Sequence, residues 1–393
     1  MNNNHNDIWL KASVVGGLWA SMEIITGSFL HNTRLPFAGT ILAFAGTILL
    51  IGFYQLWPQK GLIIRAGFIT AIMKSVSPSA IILGPMTGII TEAALIEVVI
   101  ILLGNNFPSA ATAGILSLSS ALFHKIVSVI ILYGFDVIKV YVNVINFALK
   151  QFKIQEAEPT EMLFALLTVY VVAGIVAGVT GVLLGKKALN LRAEIPQKVL
   201  QKSIREKEFF TITDEQKTST LLLWTHVIAI PTGLFLFNFK GMIVGTIYTA
   251  LYILLFGYYY RKALRRLKKP VFWSQLILII LLSTIFWEAG EQGISISTEG
   301  FWAGFEMTIR AIFIVIAFSA LSVELRNEKV KEFLFKVGVG RFYQSVGMAF
   351  NALPQMIVLL PTAKEIFKKP VASLLKPLIY ADSWLNFFKK DNV

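Results

Sequence analysis

Ten long apolar runs, separated by short polar or strongly charged connections, constrain this chain more than any other feature. They lie at 8–30, 36–56, 61–82, 84–103, 108–132, 161–185, 219–238, 241–260, 271–288 and 300–322. A helix of about 20 apolar residues crosses a bilayer, and lipid leaves few alternatives because it cannot satisfy an open backbone. The pattern predicts an all-α, polytopic membrane protein with about ten transmembrane helices. Composition agrees. With 55% hydrophobic and 15% charged residues among 393, the chain is no ordinary soluble domain, which carries about 25% charged residues. It is no disordered chain either, because such chains lack apolar residues. Within 61–103, Pro78, Gly84 and Pro85 predict an irregular turn between two spans.

The net charge of +13 needs no nucleic acid, because membrane proteins collect Lys and Arg in cytoplasmic loops. Segments 186–217, 261–269 and 324–393 hold eight, six and eleven basic residues, 25 of the 36. By contrast, 288–299 holds Glu288, Glu291 and Glu299 and no base. Placing the basic segments in the cytoplasm puts an even number of spans between them and both termini inside. Trp9, Trp57, Trp224, Trp273, Trp287 and Trp302 stand near span ends, as an aromatic belt requires. The first run carries Glu23 and lacks a basic leader, so it reads as a mature span and not as a signal peptide.

The chain therefore divides into a six-span module (1–185), a charged cytoplasmic linker (186–217), and a second module (218–393) of four spans with a long amphipathic cytoplasmic tail. Segment 134–153 has helical amphipathic spacing and is expected to lie along the outer surface.

Ionisable residues inside spans are costly and usually face a partner or a cavity. The orientation above brings several of them to one depth, in the outer half of the first module. These are Glu23 with His31 and Asn32 from span 1 and its loop, Lys74 and Ser77 from span 3, Glu92 from span 4, and His124 and Lys125 from span 5. They predict an outward-facing pocket for a small polar ligand. Mutual pairing of the same groups is the simpler alternative, and Glu97 reads as structural. A divalent metal on the histidines and glutamates is disfavoured, since no two have helix-face spacing. Ala12, Gly16 and Ala20 recur at four-residue intervals on span 1, with Ser13, Gly17 and Ser21 beside them. Small residues so spaced let helices approach closely, either inside the module or as a docking face. Span 6 repeats the device with Ala173, Ala177, Gly181 and Gly185.

The chain has no cysteine, hence no thiolate nucleophile or disulfide. Gly181 to Lys187 lacks the spacing and the Ser/Thr of a P-loop, so no ATP hydrolysis is expected by that route. An intramembrane peptidase built on Glu288, Glu291 and Glu306 would lack the histidines it needs, His226 apart.

Two stretches resemble known transporters. Met22 to Thr40 and Arg65 to Glu92, including Lys74-Ser-Val-Ser-Pro-Ser and Ile82-Leu-Gly-Pro-Met-Thr-Gly, are similar to substrate-binding S components of energy-coupling factor (ECF) type ABC transporters. Gly304 to Pro354, with Arg310 in a span and Phe318 to Val330 after it, resembles their transmembrane T component. The resemblance implies an S-like module whose span 1 small residues Ala12, Gly16 and Ala20 dock on the T-like module. It also implies an outer pocket for a vitamin, precursor or similar nutrient, and amphipathic coupling helices seated on two ATPase subunits. ATP would then be hydrolysed by those partners, and the chain itself would be a permease subunit of the cytoplasmic membrane and no enzyme. The family's Ala-Arg-Gly coupling motif is missing, and Arg326, Arg341 and Lys364 are the available candidates. A proton-coupled secondary transporter, a membrane enzyme and a scaffold are the competing readings.

Overall fold

The structure, a computed structural model, describes every residue except 1, 33–36, 76–82, 152–157, 192, 196–218, 241, 262–263, 265–266, 268–269, 290–294, 325–339, 362–364, 366–367 and 392–393. Among the described residues there are helices and no strands. In chain order they are α1 (Asn2–Asn32), α2 (Ala38–Leu56), α3 (Leu62–Ser75), α4 (Leu83–Leu103), α5 (Phe107–Tyr133), α6 (Asp136–Gln151) and α7 (Pro159–Leu189). After the linker come α8 (Thr220–Lys240), α9 (Met242–Phe256), α10 (Pro270–Phe286), α11 (Thr298–Glu324), α12 (Gly340–Leu359), α13 (Pro370–Ile379) and α14 (Ala381–Asp391).

Each of the ten apolar runs coincides with one helix, and α6 occupies the amphipathic stretch. Seven of the helices are long and apolar enough to span a membrane: α1, α2, α4, α5, α7, α8 and α11. The chain is a helical membrane protein by that measure. Of the other three, α9 has 15 residues and α10 17, and α3 is described over 14 residues. Residues 76–82 of the run 61–82, with the turn expected at Pro78, lie outside the described residues.

Local chemistry sets several ends. Asn106 caps α5, its side chain accepting from Ser109 N at 2.8 Å, with Pro108 in the first turn. Glu158 and Glu161 form a capping box at the start of α7, and Lys186 and Lys187 complement its C-terminal dipole. The start of α3 is capped from a distance. Glu97 of α4 accepts from the backbone N–H groups of Gly61 (2.5 Å), Ile63 (2.8 Å) and Ile64 (3.2 Å). It is buried and serves three donors that would otherwise be orphaned in an apolar setting. Glu97→Ala is expected to cost at least about 4.5 kcal/mol, given three hydrogen bonds at roughly 1.5–3 kcal/mol each to a charged group. Thermal unfolding in detergent measures it, Glu97→Gln should recover part of the loss, and an unchanged midpoint for the alanine variant would remove the cap.

Small residues govern the first core. α5 crosses α7 at Gly114, Gly174 and Gly178, where backbone meets backbone. A Cβ on Gly114 would lie 2.1 Å from Gly174 O, and one on Gly178 2.1 Å from Ala110 O. Further along α7, Gly181 and Gly185 receive Ile51 and Gln55 of α2.

The tail helices belong to this same core. Phe342, Val346, Ala349, Leu353 and Met356 recur every three or four residues along α12 and form its buried stripe. Phe342 meets Trp9 and Phe68, with ring centroids 5.8 and 6.4 Å apart. Leu378 of α13 covers Gly52 of α2. α14 is pinned by Lys389 to Asp7 (3.2 Å) and by Asp382 to Trp57 Nε1 (3.2 Å). α12, α13 and α14 thus pack against α1, α2, α3 and α7.

α8, α9, α10 and α11 form separate cores around Phe313, Ile314 and Val315. Arg310 of α11 ties them to α5, donating to Ile131 O (3.1 Å) and to Asn238 Oδ1 of α8 (2.6 Å). Its Nη1 sits 3.3 Å from where a Cβ on Gly134 would be, and Gly134 has φ +88°, which favours glycine. α6 is fastened to the end of α10. Asn143 donates to Phe286 O (2.8 Å) and Trp287 O (3.1 Å), and Lys139 stands over the Trp287 ring.

Candidate functional site

Five helices, α1 to α5, bring buried polar side chains together inside the first core. Glu23 and Glu92 are each 6% exposed and Lys74 is 8% exposed. Lys74 Nζ pairs with Glu23 Oε2 at 3.2 Å and also donates to Glu23 O at 3.2 Å. Gly27, one turn beyond Glu23, lets that ammonium pack close to the α1 backbone, since its Cβ would lie 3.3 Å from Lys74 Nζ. Glu92 Oε1 accepts from Thr47 Oγ1 at 3.1 Å. With its own proton so placed, Thr47 accepts from Ser117 Oγ at 2.7 Å.

Trp19 and Gly46 complete the cluster. A Cβ on Gly46 would lie 2.9 Å from both Glu92 Oε1 and Trp19 Nε1. The indole N–H and the carboxylate thus converge on a bare backbone. Trp19 is fully buried, and among the described residues its Nε1 has no hydrogen-bond partner. Trp19 and Glu23 are four residues apart on α1, so both belong to the face that meets α2 and α3.

The other expected site residues divide as follows. His124 is half-buried one turn along from this cluster, its Cδ2 lying 3.9 Å from where a Cβ on Gly88 of α4 would be. Gly88 and Glu92, and likewise Ser117 and His124, are spaced to share a helix face. Lys125 points elsewhere. It is exposed and lies over the ring of Phe37, 4.7 Å from the centroid, where Phe37 starts α2 at φ 64°. The side chains of His31, Asn32 and Arg341 and the whole of Ser77, Arg326 and Lys364 lie outside the described residues. Ala12 and Ala20 are buried. Gly16 faces α3, since its Cβ would lie 2.8 Å from Ile69 Cβ and 2.9 Å from Ala66 O. Gly17 faces α12, at 2.9 Å from Met356 Sδ and 3.5 Å from Ala349 Cβ. The small residue of α1 that meets the tail is therefore one position round from Gly16. Among the described residues no cluster of three or more His, Asp or Glu could hold a metal ion.

Sequence reasoning did not select Trp19, Gly46, Thr47 or Ser117. Trp19 had a visible signal, since it stands in the middle of a span while six of the other tryptophans stand near span ends.

A second buried network joins α8, α9 and α11. Tyr260 donates to Glu324 Oε1 at 2.7 Å, and Ser219 N donates to Glu324 Oε2 at 2.7 Å. Since the Tyr260 proton is used, its oxygen accepts from His226 Nε2 at 2.9 Å. His226 Nδ1 then accepts from Tyr252 OH at 2.7 Å. Every side chain in this chain is buried and every link is filled in one direction. It fastens the two places where the described chain leaves α8–α11, at residues 219 and 324.

Comparison with protein-family profiles, with characterised proteins and with solved structures returns no match for this chain. What the site can do is therefore argued from its chemistry.

Proposed function

We propose that the chain is the fused membrane subunit of an ECF-type importer. In this reading residues 1–185 take a small polar nutrient from outside. Residues 218–393 transmit movement from two partner ABC-type ATPases, which hydrolyse the ATP. Ten spans with both termini in the cytoplasm go with it, on the charge distribution set out above.

One observation carries the reading. α1 sends Trp19 and Glu23 into the polar cluster and, from its neighbouring face, Gly17 against the amphipathic helix α12. Ligand-facing groups and a helix of the coupling type are thus borne by one rigid element, within about two turns of each other. A displacement of α12 would shift α1, and with it the cluster. Transport then requires the ligand to have different affinities for the two positions of α1.

Gentle affinity purification from native membranes, followed by mass spectrometry of what co-elutes, tests this. Two ABC-type ATPases in near-stoichiometric amount are the expected result. Their absence, under conditions that retain a known complex of this type, overturns it.

Glu92 supports a second reading, a proton-coupled carrier. It is a carboxyl group buried in a membrane helix, and Thr47 is its one hydrogen-bond donor among the described residues. Uptake that follows the proton gradient and ignores ATP depletion would favour this reading over the importer.

A further inference from the structure

The first core is built from residues between 8 and 195 and again between 342 and 388. α8–α11 stand between these two stretches in sequence and have cores of their own. The main contact between the two bodies is the corner where α5 gives way to α6. α5 belongs to the first core, but Ile131, Leu132 and Tyr133 in its last turn pack against α8–α11. α6 is held to the other body, since Asn143 and the Phe147 ring fasten it to Phe286 at the end of α10. Between α5 and α6 stands Gly134, with φ +88°, a conformation open to glycine and strained for other residues. Relative motion of the two bodies would bend the chain there.

Arg310 fastens this corner. It is buried within α11, where a charge is costly. Its Nε–H crosses to Ile131 O at 3.1 Å, one of the carbonyls that a helix end leaves unpaired. Its Nη1 donates to Asn238 Oδ1 of α8 at 2.6 Å and lies against the bare backbone of Gly134. Both acceptors are neutral, although a carboxylate stands one turn away. Glu306 precedes Arg310 by four residues on α11, the spacing and order in which a glutamate and a cation pair readily on a helix. Glu306 is half-buried, and among the described residues no hydrogen bond or ion pair engages it. The other carboxylate of the corner, Asp136, is exposed at the start of α6. A permanent joint has no use for a spare counter-ion. A joint that opens needs one, because withdrawal of α5 would otherwise strand a buried guanidinium.

We infer that Arg310 is a releasable pin between the two bodies. In this structure it is seated on the end of α5 and on Asn238. On release it turns to Glu306, and the bodies part about Gly134. Such a joint goes beyond the importer reading and would serve a proton-coupled carrier equally well.

The chain has no cysteine, so spin labels can be placed on Val129→Cys of α5 and Trp302→Cys of α11, both exposed. Double electron–electron resonance on the full chain in lipid nanodiscs then reads the distances between them. Arg310→Met keeps an unbranched stem and removes every donor. It should raise the ratio of long to short distances about tenfold or more, as expected for loss of a hydrogen bond to a charged group. Asn238→Leu deprives the seat of one acceptor and should raise the ratio too. Adding Glu306→Leu, which removes the alternative partner, should bring it back toward the wild-type value. Should Arg310→Met not fold, the Asn238→Leu protein with and without Glu306 decides the question.

The proposal is overturned if Arg310→Met keeps the wild-type distribution. It is equally overturned if Asn238→Leu opens nothing, or opens as much without Glu306 as with it. None of these distances bears on ATPase partnership, which the co-purification decides separately.

Discussion

Gly178→Leu should leave no folded protein to purify. The α5–α7 crossing is the closest in the molecule's first core, and its contacts are with backbone. A Cβ at Gly178 would stand 2.1 Å from Ala110 O, 2.6 Å from Ala110 C and 2.9 Å from Ala111 N. Gly174 and Gly114 meet each other's backbone in the same way one turn along. No rotamer change relieves such a contact, because the obstructing atoms are carbonyls already engaged in α5. The two helices would have to separate, and in lipid no hydrophobic force draws them back, since association depends on close packing of small residues. Gly178→Ala, a single methyl, should already lower stability by about 1–3 kcal/mol, the usual cost of overpacking. Gly39→Ala is the matched control, because a Cβ there meets nothing within 4 Å. Size-exclusion profiles in detergent should show loss of the monodisperse peak for Gly178→Leu, a lowered melting midpoint for Gly178→Ala, and neither for Gly39→Ala. An unchanged midpoint for Gly178→Ala would mean that α5 and α7 do not touch through their backbones.

The helices were legible because hydropathy alone reports them. Each apolar run from 8–30 to 300–322 became one helix, and the polar breaks at Asn105-Asn106 and Glu156–Glu158 set visible ends. Rotation about the helix axis was far less legible. Two small-residue rows run side by side on α1, Ala12-Gly16-Ala20 and Ser13-Gly17-Ser21, and one residue turns a helix by about 100°. Spacing cannot tell which row meets α3 and which meets α12. The same limit hid half of the polar cluster. Glu23, Lys74 and Glu92 announce themselves because charge is rare in a span. Thr47, Ser117 and Gly46 look like ordinary small residues until Glu92 and Trp19 are seen beside them. The His226 network escaped for another reason. Its members are drawn from 219 to 324, and no local pattern links them. The amphipathic stripe of α12 was readable, but its partner was not. A stripe of Phe342, Val346, Ala349, Leu353 and Met356 fits any apolar groove, and only the fold shows that α1 supplies it.

That last contact can be locked covalently. The chain has no cysteine, so an engineered pair would have no competitor. The Cβ position of Gly17 is 3.5 Å from Ala349 Cβ, within the roughly 3.5–4.5 Å that a disulfide spans between Cβ atoms. The Met356 thioether, which lies 2.9 Å from the same point, is flexible and can move aside. Gly17→Cys/Ala349→Cys should therefore cross-link nearly completely on mild oxidation, which non-reducing electrophoresis would show as a compact species. Gly16→Cys/Ala349→Cys should not, because position 16 faces Ile69 and Ala66 O on α3. Cross-linking of the Gly16 pair, with none for the Gly17 pair, would mean that α1 is rotated and that Ala12, Gly16 and Ala20 are the docking row after all. The locked protein also tests whether α12 moves. On the importer reading, oxidation of the Gly17 pair in the assembled transporter should abolish uptake and reductant should restore it, while binding of ligand to the cluster on the other face of α1 persists. Full uptake through the locked species would show that α12 does not move relative to α1 during transport. Coupling would then have to reach the cluster by another route, such as Arg310 with its hold on Ile131 O and Asn238, or Asn143 of α6 at the end of α10.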